Sequence, residues 1–339
     1  MTVRWGIVSA GKICSDFVNA VNSYPGKGDQ VIAAVAARDR SRAEEFAKLH
    51  NIATVFDSYQ AMADSSGVVD VVYIGALNPD HFALTKLFLK KGKHVLCEKP
   101  MCLNLKQTQA LVNIARQKKL FLMEAVWSRF APVYLALEKD IDSGKLGDVK
   151  LVEVNFGVPL ISVDRLTKKD LGGSALLDIG VYTLQFAQFI FKDEPTKVTA
   201  VGTVNEEGVD IIAHIILEYS GGRRAVLNVD ATVKLWNKAT VTGTKGRATV
   251  EDPFHFPEDL THADGSVENF PLHTSDIPYY FGNSAGLVYE SLEVVRCIKE
   301  GLLESPRMSL KESLTLAKLK DTIRKQIGVH FDVDDQEFS

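Results

Sequence analysis

Cysteine is scarce in this chain: among 339 residues there are four, Cys14, Cys97, Cys102 and Cys297. No histidine cluster accompanies them, so neither a disulfide framework nor a metal site is expected. Scattered thiols suit a reducing, cytoplasmic setting. Neither sign of charge dominates, since 39 Lys and Arg stand against 43 Asp and Glu, for a formal net charge of −4. That balance gives no reason to expect nucleic acid or an anionic membrane as a partner. Long apolar runs are missing, which argues against a bilayer span. No basic segment leads into an apolar stretch at the start, so no signal peptide is expected.

What is present is an ordinary globular composition, 46% hydrophobic and 24% charged, on a length that allows two cores. In the first third, apolar strands (3–8, 31–37, 54–56, 69–74, 94–97, 121–125) alternate with amphipathic helices (12–22, 41–50, 59–63, 81–90, 105–118). This predicts a parallel sheet covered on both faces. The pattern then changes. A helix is predicted near 132–143, a strand at 149–156 and a helix at 175–191. From 197 to 250 the chain is strand-rich with period-two alternation, as in a sheet with one face packed on helices. Two helices, near 286–299 and 310–325, close it. The expected division is 1–126, a cofactor-binding domain, and 127–339, an α+β domain for substrate binding and dimerisation. Val201, Val204, Val229, Val233 and Trp236 are more apolar than a solvated sheet face needs, so that face is expected to meet a second subunit.

Glycine is sparse where a dinucleotide-binding turn would use it. In GIVSAGKIC the three positions of a GxGxxG fingerprint hold Ser9, Gly11 and Cys14. Only the middle one is glycine, the one at which a side chain would most obstruct phosphates. The turn follows a strand and opens a helix, so the N–H groups near Lys12 and Ile13 could meet a pyrophosphate. The second strand ends in AARDRSR. Arg38 and Arg42 stand near where NAD binders usually place an acidic residue, and two guanidiniums could clamp a 2′-phosphate, which makes NADP the expected cofactor. Asp39 leaves alternatives open: it could cap the next helix or accept from a ribose 2′-hydroxyl.

Two further stretches carry chemistry. CEKPM puts Glu98 and Lys99 at the carboxyl end of a strand, the edge at which open α/β sheets bind ligands, although a lysine there is often merely solvated. GGSALLDIGVY puts Asp178 and Tyr182 four apart on one helical face, either as acid–base groups or as a core tyrosine with an aspartate nearby. Trp127, Phe156, Phe254 and Phe281 fall at segment ends or in loops, where they either line a cleft or belong to the core.

RWGIVSAGKI, NPDHF at 78–82, EKP at 98–100 and GGSALLDIGVY at 172–182 together resemble the glucose–fructose oxidoreductase/inositol dehydrogenase family over essentially the whole chain. The resemblance implies an N-terminal Rossmann domain, a doubly wound parallel sheet, and a C-terminal α+β domain with a large, open, mostly antiparallel sheet that pairs face to face in a homodimer. It implies Lys99 and Tyr182 as the catalytic pair and Arg38 and Arg42 at the 2′-phosphate. Asn78, His81, Trp127, Asp178, Phe281 and Asn283 are implied around the site. Many family members carry His at the position of Tyr182. The implied reaction is NADP-dependent oxidation of a secondary or hemiacetal hydroxyl on a small molecule: dihydrodiols to catechols, and D-xylose and related pyranoses to lactones. Tyr182 would take the hydroxyl proton, with Lys99 lowering its pKa and Asp178 orienting the site. The rival expectations are an NADP-binding sensor without turnover and a dehydrogenase of another small polyol or carbonyl.

Overall fold

The computed structural model describes residues 2–338. Its first part alternates as the periodicity requires: β1 (Val3–Val8), α1 (Lys12–Ser23), β2 (Gln30–Ala36), α2 (Arg40–His50), β3 (Thr54–Phe56), α3 (Tyr59–Asp64), β4 (Val71–Ile74), α4 (Asp80–Lys90), β5 (His94–Glu98), α5 (Leu105–Lys118) and β6 (Leu122–Ala125). The strands pair in parallel in the order β3-β2-β1-β4-β5-β6. Strand order reverses between β1 and β4, so their carboxyl ends open a crevice where ligands bind in such sheets.

The chain continues through a 3-10 turn (Trp127–Phe130), α6 (Pro132–Asp142), β7 (Val149–Gly157), α7 (Asp164–Thr167), a π-helical turn (Leu176–Gly180) and α8 (Val181–Phe191). Seven strands follow: β8 (Lys197–Val204), β9 (Asp210–Glu218), β10 (Arg224–Asp230), β11 (Ala239–Gly243), β12 (Arg247–Val250), β13 (Asp259–Thr261) and β14 (Val267–Asn269). With β7 they form an eight-stranded sheet in the order β14-β13-β12-β11-β7-β10-β9-β8. Only β7 and β10 pair in parallel. The short strands β13 and β14 are not among the elements the sequence periodicity predicts. Then α9 (Leu287–Lys299) returns to pack on α1, and α10 (Leu310–Ile327) runs between α5 and β8.

One face of the large sheet is packed. Val152, Val154 and Phe156 of β7, Ala213, Ile215 and Leu217 of β9, and Ala225, Leu227 and Val229 of β10 are all buried there. The α8 sequence VYTLQFAQFIF is apolar nearly all round because the whole helix is buried. The stretch Lys169–Phe191 is, against the sequence expectation, long and apolar enough to suit a membrane span, but its apolar part is buried in the core of the fold. The other sheet face is uncovered. Val201 and Ile216 are exposed there, Val201 to 64%, whereas Val233 and Trp236, also exposed, sit in the connection between β10 and β11. Two further residues expected on that face are elsewhere: Val229 alternates with Asn228 onto the packed side, and Val204 is half-buried against a small cluster containing Val209 and Phe331.

Candidate active site

Past β1 the chain turns through Ser9, Ala10 and Gly11 into α1. Ser9 has φ +98°, a conformation glycine ordinarily supplies, and its N–H bonds the Ala36 carbonyl at 2.9 Å. Ser9 thus keeps the turn that its lack of glycine put in doubt. A Cβ built on Gly11 would come no closer than 3.5 Å to any neighbour outside the turn's adjacent residues. Packing within the chain does not demand glycine there, whereas close approach of a phosphate would. Gly11 caps α1 without a side-chain bond, so the first-turn N–H groups at Lys12 and Ile13 are available to an anion. Cys14 stands where a third glycine usually allows close helix packing. The space comes instead from the opposite side: a Cβ on Gly75 would fall 2.5 Å from Cys14 Sγ. Burial pushes the Cys14 thiol up to about 12, so it packs as a neutral group.

The chemical groups converge where β5 ends. Lys99 Nζ donates to the Asp178 carbonyl at 2.8 Å and to Asp178 Oδ1 at 3.2 Å, and lies 5.0 Å from the centre of the Tyr182 ring. Asp178 belongs to the π-helical turn and Tyr182 to the start of α8, so regular α-helical spacing does not relate them. The wider turn still brings both to Lys99, and such turns recur at functional sites. Asp210 pins the turn, accepting from Ser174 Oγ at 2.5 Å and Leu176 N–H at 2.6 Å. Arg165 Nη1 donates to Asp178 Oδ1 at 2.8 Å. Burial works against charge on Asp178, but Lys99 and Arg165 outweigh it and hold its carboxyl at about 2.

Tyr182 differs from the expectation. Burial pushes its hydroxyl up to about 12, and Lys99 pulls downward without winning. Much of the lysine's field is answered by Asp178, and Glu98 and Asp178 themselves oppose a phenolate. Trp127 Nε1 donates to Tyr182 Oη at 2.9 Å, which favours the phenolate and ties a residue expected only at the substrate to the tyrosine expected to act as base. Phe156 meets Tyr182 edge-on at 5.7 Å and stacks on His255 at 4.8 Å. His255, which sequence reasoning passed over, lies 5.4 Å from the Tyr182 ring, and burial pushes its imidazole down to about 3. The aromatic run FHF at 254–256 was the signal that could have found it. Phe254 is corrected as a cleft residue: it is fully buried, with its ring edge-on to Phe156 and Phe186.

The remaining expected residues divide into two groups. Asn78 Nδ2 donates to the Gly172 carbonyl at 3.3 Å. His81 is buried, with Nδ1 2.8 Å from the Pro100 carbonyl and Nε2 3.1 Å from that of Ala76. Burial lowers its pKa, so the neutral ring donates through one nitrogen and anchors the Lys99 loop. Glu98 accepts from Tyr73 Oη at 2.5 Å and from the Lys99 N–H at 3.1 Å, and burial raises its pKa. Phe281 is exposed, with its N–H on Asp16 Oδ2 at 2.9 Å, and Asn283 Nδ2 donates to the Phe256 carbonyl at 2.8 Å. At the far end of the crevice, Arg38 is exposed and lies 3.8 Å from Asp80. Arg42 is also exposed. Asp39 Oδ1 caps α2, accepting from Ser41 N–H at 2.9 Å and Arg42 N–H at 3.4 Å.

Residues 3–126 match the oxidoreductase family described by its NAD-binding Rossmann fold, and residues 134–249 match the GFO/IDH/MocA C-terminal domain. The chain is 42% identical over 339 residues to the trans-1,2-dihydrobenzene-1,2-diol dehydrogenase of Danio rerio, covering 99% of this chain and 100% of that one. It is 42% identical over 335 residues to the Homo sapiens protein of the same name, covering 98% and 99%. A solved 3-ketoreductase from Actinomadura kijaniata, in complex with NADP and TDP-benzene, matches with TM-score 0.81 at 23% identity, covering 98% of this chain and 99% of that chain. That last likeness is one of fold. With both domains matched and near-full-length relatives at this identity, the chain belongs to the glucose–fructose oxidoreductase/inositol dehydrogenase (Gfo/Idh/MocA) family of oxidoreductases.

Proposed function

We propose that this chain is an NADP-dependent dehydrogenase of ring hydroxyls, oxidising trans-dihydrodiols to catechols and D-xylose and related aldopyranoses to lactones. The observation that carries this is the Lys99–Asp178–Tyr182 cluster, held together at the crevice edge of the parallel sheet. The names of the full-length relatives support the dihydrodiol, and a pyranose offers the same kind of ring hydroxyl.

The cofactor, when bound, accepts the hydride. The Ser9–Gly11 turn and the α1 N-terminus would hold its pyrophosphate, and Arg38 and Arg42 its 2′-phosphate. Tyr182 Oη exchanges the proton of the reacting hydroxyl. Because its pKa is about 12, Tyr182 carries a proton at neutral pH. It is therefore ready to donate during carbonyl reduction and must lose that proton before it can act as base in oxidation. Lys99 and the Trp127 N–H stabilise the phenolate that oxidation needs, and Asp178 fixes Lys99. The uncovered sheet face, with Val201 and Ile216 exposed, suits a face-to-face homodimer. The four free, buried cysteines suit a cytoplasmic setting.

The test is NADPH absorbance with trans-1,2-dihydrobenzene-1,2-diol, D-xylose and myo-inositol. Turnover of the first two with NADP is expected, with NAD far weaker. Tight NADP binding with no turnover of any alcohol would instead leave a cofactor sensor.

A further inference from the structure

Arg165 belongs to α7, a single turn between β7 and the π-helical turn that carries Asp178. Its neighbour Leu166 is fully buried and roots α7 in the core. The paired glycines of GGSALLDIGVY explain how α7 comes so close to Asp178. Gly172 has φ +69°, and a Cβ on Gly173 would fall 2.6 Å from the Leu166 carbonyl oxygen. Gly173 N–H also bonds the Lys168 carbonyl at 2.9 Å. The segment is thus folded tightly back on itself, and it presents Arg165 from a rigid turn.

Arg165 uses one nitrogen, Nη1, on Asp178 Oδ1. Among the described residues its Nε and Nη2 have no hydrogen-bond partner, and the side chain stays 39% exposed. Asp178 is asymmetric in the same way: Oδ1 receives both Lys99 and Arg165, while Oδ2 receives no hydrogen bond among the described residues. A donor-only group and an acceptor-only group therefore stand side by side, within the electrostatic reach of Tyr182.

We propose that Arg165 and Asp178 Oδ2 form a hydroxyl-reading pair that binds the second hydroxyl of a vicinal diol, beside the carbon whose hydroxyl Tyr182 serves. This rests on the dehydrogenase reading above and deepens it. A hydroxyl donates and accepts at once, so it satisfies both groups. A substrate without that hydroxyl leaves them desolvated and unpaired, the situation in which hydrogen-bonding sites discriminate most strongly. A carboxylate in the same place would meet the negative charge of Asp178. Dihydrodiols and pyranoses share the vicinal diol, which gives one site a reason to accept both.

The experiment uses the NADP-loaded enzyme with trans-1,2-cyclohexanediol and cyclohexanol, measuring KM by NADPH absorbance and Kd by tryptophan fluorescence. Wild type should prefer the diol by roughly ten- to a hundred-fold, the usual worth of a hydrogen bond to a charged group. Arg165→Met should abolish most of that preference by weakening the diol far more than cyclohexanol, with NADP affinity unchanged. Arg165→Lys keeps a cation beside Asp178 but loses the fork, so it should lose much of the preference while keeping the wild-type melting temperature. Equal losses on both alcohols, or a preference that survives both variants, would overturn the proposal. Diol-selective binding that depends on Arg165 but leads to no turnover would sustain it and sink the dehydrogenase reading. Turnover of both alcohols without diol selectivity would do the reverse.

Discussion

The two ends of the crevice are built on opposite plans. At the end of β5 the central charges hold one another before a substrate arrives: the side chains of Lys99 and Asp178 are only 14% and 11% exposed and are bonded to one another. At the end of β2, Arg38 is 72% exposed and its one ion pair is a loose 3.8 Å contact. Such exposed pairs contribute little. Asp39, the residue that kept NAD in contention, turns its carboxylate onto the start of α2. The difference suits the tasks proposed for the two ends. A proton-transfer group needs its geometry set in advance, because a misplaced base loses rate steeply. A phosphate clamp does better with cations that have no firm partner to give up.

The sharpest way to break this comparison is at the chemical end. Tyr182→Phe should keep fold and cofactor affinity but lower kcat by about 10²–10⁴-fold, the range for a lost acid–base group. In the oxidation direction log kcat of the wild type should climb with pH toward the Tyr182 value of about 12. Lys99 pulls that pKa down, so Lys99→Met should lower kcat and move the climb to still higher pH. A Tyr182→Phe enzyme retaining more than about a tenth of kcat with chemistry rate-limiting would hand the base role elsewhere. His81 would be a poor successor, since both its ring nitrogens face carbonyls, and the neutral His255 would be examined first.

At the cofactor end the loss should be smaller and selective. Arg38→Ala should weaken NADP binding by roughly ten- to a hundred-fold, equivalent to about 1.5–3 kcal/mol for one charge-assisted contact. NAD affinity should barely change. Fluorescence titration of both cofactors checks this, and equal losses would remove the clamp.

What was legible in the sequence was what depends on neighbours along the chain. The alternation that sets the six parallel strands is local, whereas the meeting of Lys99 with Asp178 and Tyr182 joins distant stretches and was implied only by the family resemblance of EKP and GGSALLDIGVY. What depends on contacts across the chain was not. Nothing local to Cys14 says that Gly75 makes room for it. Nothing local to Tyr182 says that burial will outweigh Lys99, or that Trp127 reaches its hydroxyl. Arg165 sits in a four-residue turn too short to register a helical period, and its meaning appears only beside Asp178. The strands β13 (DLT) and β14 (VEN) hold one apolar residue each, unlike the equally short TVF of β3, so no apolar pattern marks them.

The Cys14–Gly75 exchange can be tested as a pair. At Gly75, Cβ would sit 2.5 Å from Cys14 Sγ and 3.0 Å from Ile13 Cγ2. Gly75→Ala should therefore destabilise the protein by about 1–3 kcal/mol, the usual cost of overpacking. Adding Cys14→Gly, which restores the usual third glycine, should recover part of that loss. Denaturant unfolding of the two single variants and the double variant measures the coupling, and strict additivity would mean that the two residues do not share one space.

Ser9 should show the smallest effect, because two terms oppose one another there. Its φ of +98° is costly for a residue with a Cβ, by roughly 1–3 kcal/mol for a sparsely populated backbone region. Ser9→Gly removes that strain in the native state. It also frees the unfolded chain, and glycine's extra entropy typically costs about 0.5–1 kcal/mol. The net change should be a gain between about zero and about 2.5 kcal/mol. The turn itself should not move, since the Ser9 N–H is held by the Ala36 carbonyl at 2.9 Å whatever the side chain. NADP affinity should therefore stay within about three-fold of wild type, less than the tenfold that 1.4 kcal/mol represents. A larger loss of affinity in Ser9→Gly, without a loss of stability, would mean that the Ser9 hydroxyl itself binds the cofactor. The phosphate turn would then be organised by a side chain, like the chemical end of the crevice, and the contrast between the two ends would not hold.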